Sequence, residues 1–156
     1  MPICKLNDIK KSLFFKYKLM SLDLGKKNIG IAISDQNLVI ASPFKVLKRK
    51  TFTKDANELI SIIKDNSVGG LIIGWPLNMN GTEGPMCLKV KNFSIMFLKT
   101  YDIPISFQDE RLSTVAVERN MISSNTSRKK RSKIIDSIAA TWILQTSLDY
   151  LSKNNI

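Results

Sequence analysis

Past residue 17 the chain falls into short apolar blocks separated by polar and glycine-containing breaks. Residues 18–24 and 29–34 are two β-prone runs joined by Gly25, Lys26 and Lys27, which predicts a hairpin. A third strand is expected over 39–47. There Ser42-Pro43 marks an edge or a bulge, because proline cannot donate to a central ladder. Leu59, Ile60, Ile62 and Ile63 then recur at helical spacing. Thr53 is the expected N-cap of that helix, which stops at Asn66-Ser67-Val68-Gly69. Residues 70–74 are apolar or glycine throughout, as in a strand covered on both faces by parallel pairing. A loop over 74–84, turning at Asn80-Gly81, leads to Pro85, a residue suited to the first turn of a helix. That helix runs to Thr100 with Val90, Phe93, Phe97 and Leu98 inward. The last strand is expected over 103–108, followed by a short helix over 114–121, a polar loop at 123–127 and a long helix over 130–151. The apolar face of the long helix is expected at Ile135, Ile138, Ala139, Trp142, Ile143 and Leu148.

Three meandering strands followed by alternating helices and strands predict an α/β fold with a mixed sheet. No internal repeat or low-complexity linker interrupts it. Residues 1–17 read as an extension ahead of the domain, partly disordered, and 18–156 as the domain itself. The exception to the pattern is Asp23, a carboxylate inside an apolar strand, where it is costly unless paired or bound to a cation. On its own such a residue reads as a strand-end cap.

Composition narrows the chemistry. With 156 residues and 44% apolar content, the chain suits one domain with a real core. Its apolar runs fall short of the roughly 20 residues of a membrane span, and the basic N-terminus has no apolar segment of a secretory signal. Cys4 and Cys87 match no metal spacing, and a reducing cytoplasm is the simplest home. The formal net charge of +11 favours a polyanionic partner, nucleic acid above all. A lysine-rich composition alone would give the same excess. More decisive is the absence of histidine. Ser-His-Asp and Cys-His schemes, histidine acid–base chemistry and histidine-ligated zinc are all excluded. A hydrolase built on this chain must use carboxylates, lysine, hydroxyls or a carboxylate-bound metal.

Four segments resemble the signatures of one family. They are Leu22-Asp23-Leu24-Gly25-Lys26-Lys27-Asn28-Ile29-Gly30 continuing to Asp35, then Gly74-Trp75-Pro76-Leu77-Asn78 continuing to Gly84, then Asp109-Glu110-Arg111-Leu112-Ser113-Thr114, and Ile135-Asp136-Ser137-Ile138-Ala139-Ala140. In this order they are similar to the YqgF/RuvX family of the ribonuclease H-like superfamily, over most of the chain after Lys18. The resemblance implies a ribonuclease H-like α/β fold: a five-stranded mixed sheet in the order 3-2-1-4-5, flanked by helices. The first strand is then central, and Asp23 lies at the crevice where open α/β sheets bind ligands. It also implies a cytoplasmic bacterial nuclease that processes the 5′ end of pre-16S ribosomal RNA. The family has equally been named a Holliday junction resolvase, acting on branched DNA. Asn28 departs from the arginine the family usually has there, and Trp75 replaces a smaller apolar residue, either to pack or to stack on a base.

The residues fit metal-dependent phosphodiester cleavage, which needs Mg²⁺ or Mn²⁺ held by few oxygen ligands. Asp23, Glu110 and Asp136 are the expected ligands and catalytic carboxylates, and the resemblance points to the same three. Side chains alternate along a strand, so Asp109 and Glu110 cannot both face the site; Glu110 is preferred. Asp109 and Asp35 are weaker candidates, Asp35 being placed to cap a turn. Asp136 could equally be a charge favoured near a helix N-terminus. Yet that helix starts with the five cations of Arg128-Lys129-Lys130-Arg131-Ser132-Lys133, which oppose the dipole. Such a run is a solvated face or a phosphate grip. Lys26, Lys27, Asn78, Arg111, Arg128, Lys129 and Arg131 are the expected nucleic-acid contacts. Ser113 and Thr114 read as N-caps rather than nucleophiles. A non-catalytic nucleic-acid-binding factor is the alternative from another class. A monomer and a homodimer are both compatible with the sequence, and no membrane partner is expected.

Overall fold

The computed structural model describes residues 3–13, 17–110 and 128–153, with the side chains of 128–136 outside that description. In chain order the elements are α1 (Leu6–Ser12), β1 (Lys18–Leu24), β2 (Asn28–Ser34), β3 (Ala41–Lys48), α2 (Phe52–Asp65), β4 (Val68–Trp75), α3 (Pro85–Thr100), β5 (Ile105–Asp109) and α4 (Arg128–Lys153). They form a five-stranded sheet in the order β3-β2-β1-β4-β5. β1 and β3 pair antiparallel with β2; β4 runs parallel to both β1 and β5. β1 is central, as the family resemblance implies. β3 lies at one edge and its register shifts: Lys45 faces Ile31 but Pro43 faces Ala32, so Phe44 is the extra residue. The proline therefore marks both an edge and a bulge.

Alternation along β1 separates two cores. Met20, Leu22 and Leu24 face α2 and α3 and join Leu59, Ile63, Leu71, Ile73, Phe93 and Phe97. Leu19 faces the other way and joins Ala32, Ile72, Ala140, Ile143, Leu144 and Leu148 beneath α4. Ser21, fully buried on the α4 face, donates to the Ala140 carbonyl at 2.6 Å and ties that helix to the centre of the sheet.

Three details differ from the sequence expectation. The segment ahead of β1 contributes to the core: Ile9 of α1 is fully buried, and Cys4 N–H donates to the Ile105 carbonyl at 2.8 Å on the edge of β5. The N-cap of α2 is Thr51, which accepts from Lys54 N–H, not Thr53. Trp142 is 53% exposed, because the buried stripe of α4 runs through Ala140, Ile143, Leu144, Ser147, Leu148 and Leu151. This is the i, i+3, i+4 spacing of a single helix face. The expected short helix over 114–121, with Ser113 and Thr114, lies outside the described residues. Among the described residues no helix is long and apolar enough to cross a membrane.

Candidate active site

At the carboxyl ends of β1, β4 and β5, the α4 face changes character. Asp23 is in register with Gly30 of β2, so the neighbouring strand offers no side chain to crowd it. Glu110 follows the last residue of β5, and its N–H donates to the Trp75 carbonyl at 3.3 Å. Gln108, two residues earlier, accepts from Ser147 of α4, which fixes the even-numbered side of β5 as the α4 face. Glu110 therefore turns toward Asp23, whereas Asp109 is exposed.

Gly74 makes room for this. A β-carbon there would collide with Glu110 Oε2, and would stand 2.8 Å from Ile143 Cδ1 and 3.1 Å from Glu110 Cδ. Glu110 thus lies directly over the backbone of β4, with Oε2 buried. Burial pushes its carboxyl above the ordinary value, a side-chain hydrogen bond with Asp23 works the other way, and the charge of Asp109 raises it further. Two carboxyl groups in contact need a proton or a cation between them. Oxygen donors from two strands are what Mg²⁺ or Mn²⁺ would take. The donor set therefore fits a divalent cation. Among the described residues no group of three metal-ligating side chains occurs. The side chain of Asp136, the third expected ligand, lies outside them; its backbone is one turn ahead of Ala140 on α4.

The other expected residues fall as follows. Lys26 and Lys27 are exposed on the β1–β2 turn, which Gly25 N–H closes on the Asn28 carbonyl at 2.9 Å. Arg49 braces the same turn: its Nη1 donates to the Gly25 carbonyl at 2.9 Å and its N–H to the Lys27 carbonyl at 2.8 Å. Asn78 is exposed, and its amide is engaged within its own loop, donating to Thr82 Oγ1 at 3.0 Å. Its carbonyl accepts from Gly81, whose φ of 86° suits glycine. Trp75 packs on Phe107 at 4.6 Å between ring centroids and belongs to the α2/α3 core. Asp35 proves to be a turn residue, accepting from Val39 and Ile40 N–H at 2.8 and 3.0 Å. Slight burial opposes its ionisation, but these N–H donors outweigh it and hold the carboxyl below the ordinary range. Arg111, and the side chains of Arg128, Lys129 and Arg131, lie outside the described residues. Sequence reasoning missed Gly74 as the floor of the site and Arg49 as the brace of the lysine turn. A glycine closing an apolar strand beside an acidic one is the signal that would have found the first.

The fold is that of a ribonuclease H-like protein. It resembles Thermus thermophilus RuvC, solved in complex with a Holliday junction substrate, with a TM-score of 0.53 at 9% identity over 89% of this chain and 96% of that one. Residues 17–150 match the family described as "RuvX: Holliday junction resolvase", and the chain belongs to this family. Among its relatives are two proteins named "Putative pre-16S rRNA nuclease". The one from Rhodospirillum centenum is 45% identical over 99% of this chain and 85% of its own length. The one from Bartonella tribocorum is 46% identical over 96% of both.

Proposed function

We propose that the chain is a divalent-metal-dependent endonuclease that cuts phosphodiester bonds in the 5′ leader of precursor 16S rRNA. The observation that carries this reading is the contact between Asp23 and Glu110 over Gly74, at the strand ends of a ribonuclease H-like sheet. With no histidine in the chain, two touching carboxyl groups are the acidic machinery such a reaction would use. Asp23 and Glu110, joined by Asp136 from α4, would hold Mg²⁺ or Mn²⁺. When bound, that cation lowers the pKa of a water and neutralises charge on the leaving oxygen. Asp23 and Glu110 would hold the cation at the strand ends, and Lys26 and Lys27 on the braced turn draw the polyanionic backbone toward them. Arg111, Arg128, Lys129, Arg131 and Asn78 are assigned further phosphate contacts. The relatives named as pre-16S rRNA nucleases favour RNA as substrate. The family description favours a second reading, cleavage of branched DNA.

One assay separates the readings. Purified protein with Mg²⁺ or Mn²⁺ is offered a 5′-extended 16S precursor and, separately, a four-way DNA junction. Cleavage of the precursor is expected, and it should disappear in excess EDTA and in Asp23→Asn. Cleavage of the junction alone would replace the first reading with the second. Full activity in EDTA or in Asp23→Asn would remove both.

A further inference from the structure

On the opposite face of the sheet from Asp23, the carboxyl end of β1 borders a cavity of about 290 Å³ between the start of α2 and the middle of α3. Leu24, the residue after Asp23, forms part of its wall. So do Phe52 and Phe93, whose rings meet edge to face at 5.5 Å. Arg49 and Lys89 bring two cations and Asn92 an amide; among the described residues no carboxylate lines it. A void left by imperfect packing is apolar and sealed. This one has the exposed Lys89 and Asn92 in its lining. Flat apolar walls, an amide able both to donate and to accept, and cations without an acid beside them together match one ligand chemistry: a heterocyclic base with its phosphate. The place in the fold fits too. Arg49 also holds the Gly25–Lys27 turn, so a single guanidinium links the cavity to the lysines above the carboxylates. Asp23 and Leu24 are consecutive on β1, so the carboxylates and the cavity lie back to back at the same strand end.

We propose that this cavity is a nucleotide subsite. It takes one unstacked base of the strand being cut, against Phe52 and Phe93, with Asn92 at the base edge and Arg49 and Lys89 on the adjoining phosphates. The inference rests on the nuclease reading, but its test does not require cleavage. Binding of a labelled single-stranded RNA oligonucleotide is measured by fluorescence anisotropy in EDTA. The wild type is compared with Asn92→Trp, which fills the cavity from an exposed position, and with Lys89→Glu. Lys91→Glu, the same charge change on an exposed α3 residue outside the cavity, is the control. Asn92→Trp and Lys89→Glu should weaken binding roughly fivefold or more, the scale of losing one base–aromatic contact. Lys91→Glu should change it no more than about twofold, as expected for a screened surface charge. An abasic oligonucleotide of equal charge should bind the wild type as weakly as ordinary RNA binds Asn92→Trp. Unchanged binding in both cavity variants would overturn the proposal. So would equal losses in Lys89→Glu and Lys91→Glu, or binding indifferent to the presence of bases. Pocket-dependent binding without cleavage in any divalent metal would sink the nuclease reading and leave the subsite standing. Cleavage by the wild type with unaffected cavity variants would do the reverse.

Discussion

The two faces of the sheet are built from the same strands yet end differently. On the α2/α3 face the apolar stripe of β1 runs without a break through Met20, Leu22 and Leu24. On the α4 face it starts apolar at Leu19, becomes polar at Ser21 and ends on a carboxylate at Asp23. The neighbours follow suit. Ile73 of β4 faces the first core, whereas Gly74 faces the second and leaves its volume to Glu110. One face is specified by burial alone. The other is specified by burial only as far as Ser21, and beyond it by room for acidic side chains. The acids themselves repeat the contrast. Asp35, at the end of β2, is satisfied by two backbone N–H groups and holds its charge easily. Glu110 is half-buried with its Oε2 enclosed, and that burial makes it hold its charge with difficulty. The first is a finished structural element; the second belongs to the acid pair to which the proposed function assigns a cation.

Substitutions that exchange the character of the faces test this contrast. The largest effect falls on Glu110→Gln and Asp23→Asn. Each should lower cleavage by roughly a hundredfold or more, beyond what loss of a group that only hydrogen-bonds to a metal ligand costs. Neither should lower the melting temperature of the metal-free protein, because each removes one of two confronting acids. A marked drop in stability would mean that the pair is structural. Next is Leu22→Ala on the apolar face. It should destabilise the fold by about 2–5 kcal/mol in denaturant titration, and leave the rate of the folded fraction unchanged. Gly74→Ala should do both: about 1–3 kcal/mol of instability, by overpacking, and a loss of cleavage through displacement of Glu110. Thr51→Ala, remote from the site, should cost about 1 kcal/mol by removing the cap of α2 and leave cleavage untouched. The smallest effect concerns Asp35. Its folded pKa is lowered, so its contribution is present above the ordinary carboxylate range and is lost as pH falls through the lowered value. Asp35→Asn should therefore melt below the wild type at neutral pH, with the gap closing in acid.

The sequence made most of the sheet legible because strand alternation and helical spacing are local signals. Residues 70–74 announced a doubly covered strand, and Ser42-Pro43 an edge. What sequence reading missed depends on partners far along the chain. Trp142 looked apolar enough for the core, but Ala140 and Leu144 occupy the side of α4 that Ser21 fastens to the sheet. Residues 3–13 looked like an extension because no periodicity shows that Ile9 will fill a gap beside Leu19 and Ile72. At the site, alternation was enough to say that Asp109 and Glu110 point to opposite faces, but not which of them faces Asp23. It could not show that Gly74 supplies the space, since that depends on the Glu110 side chain folding back over the neighbouring strand. Arg49 sat unnoticed in a run of three cations, because its bond to the Gly25 carbonyl spans 24 residues.

The central claim is that Asp23 and Glu110 form a divalent-cation site. Calorimetric titration of the metal-free protein with Mn²⁺, paired with the electron paramagnetic resonance signal of the bound ion, tests it most directly. Saturable binding is predicted for the wild type, with a rise in melting temperature as Mn²⁺ is added. That binding should be lost in Asp23→Asn and in Glu110→Gln but kept in Asp35→Asn. Binding of equal strength in all four proteins, or none in the wild type, would contradict the account.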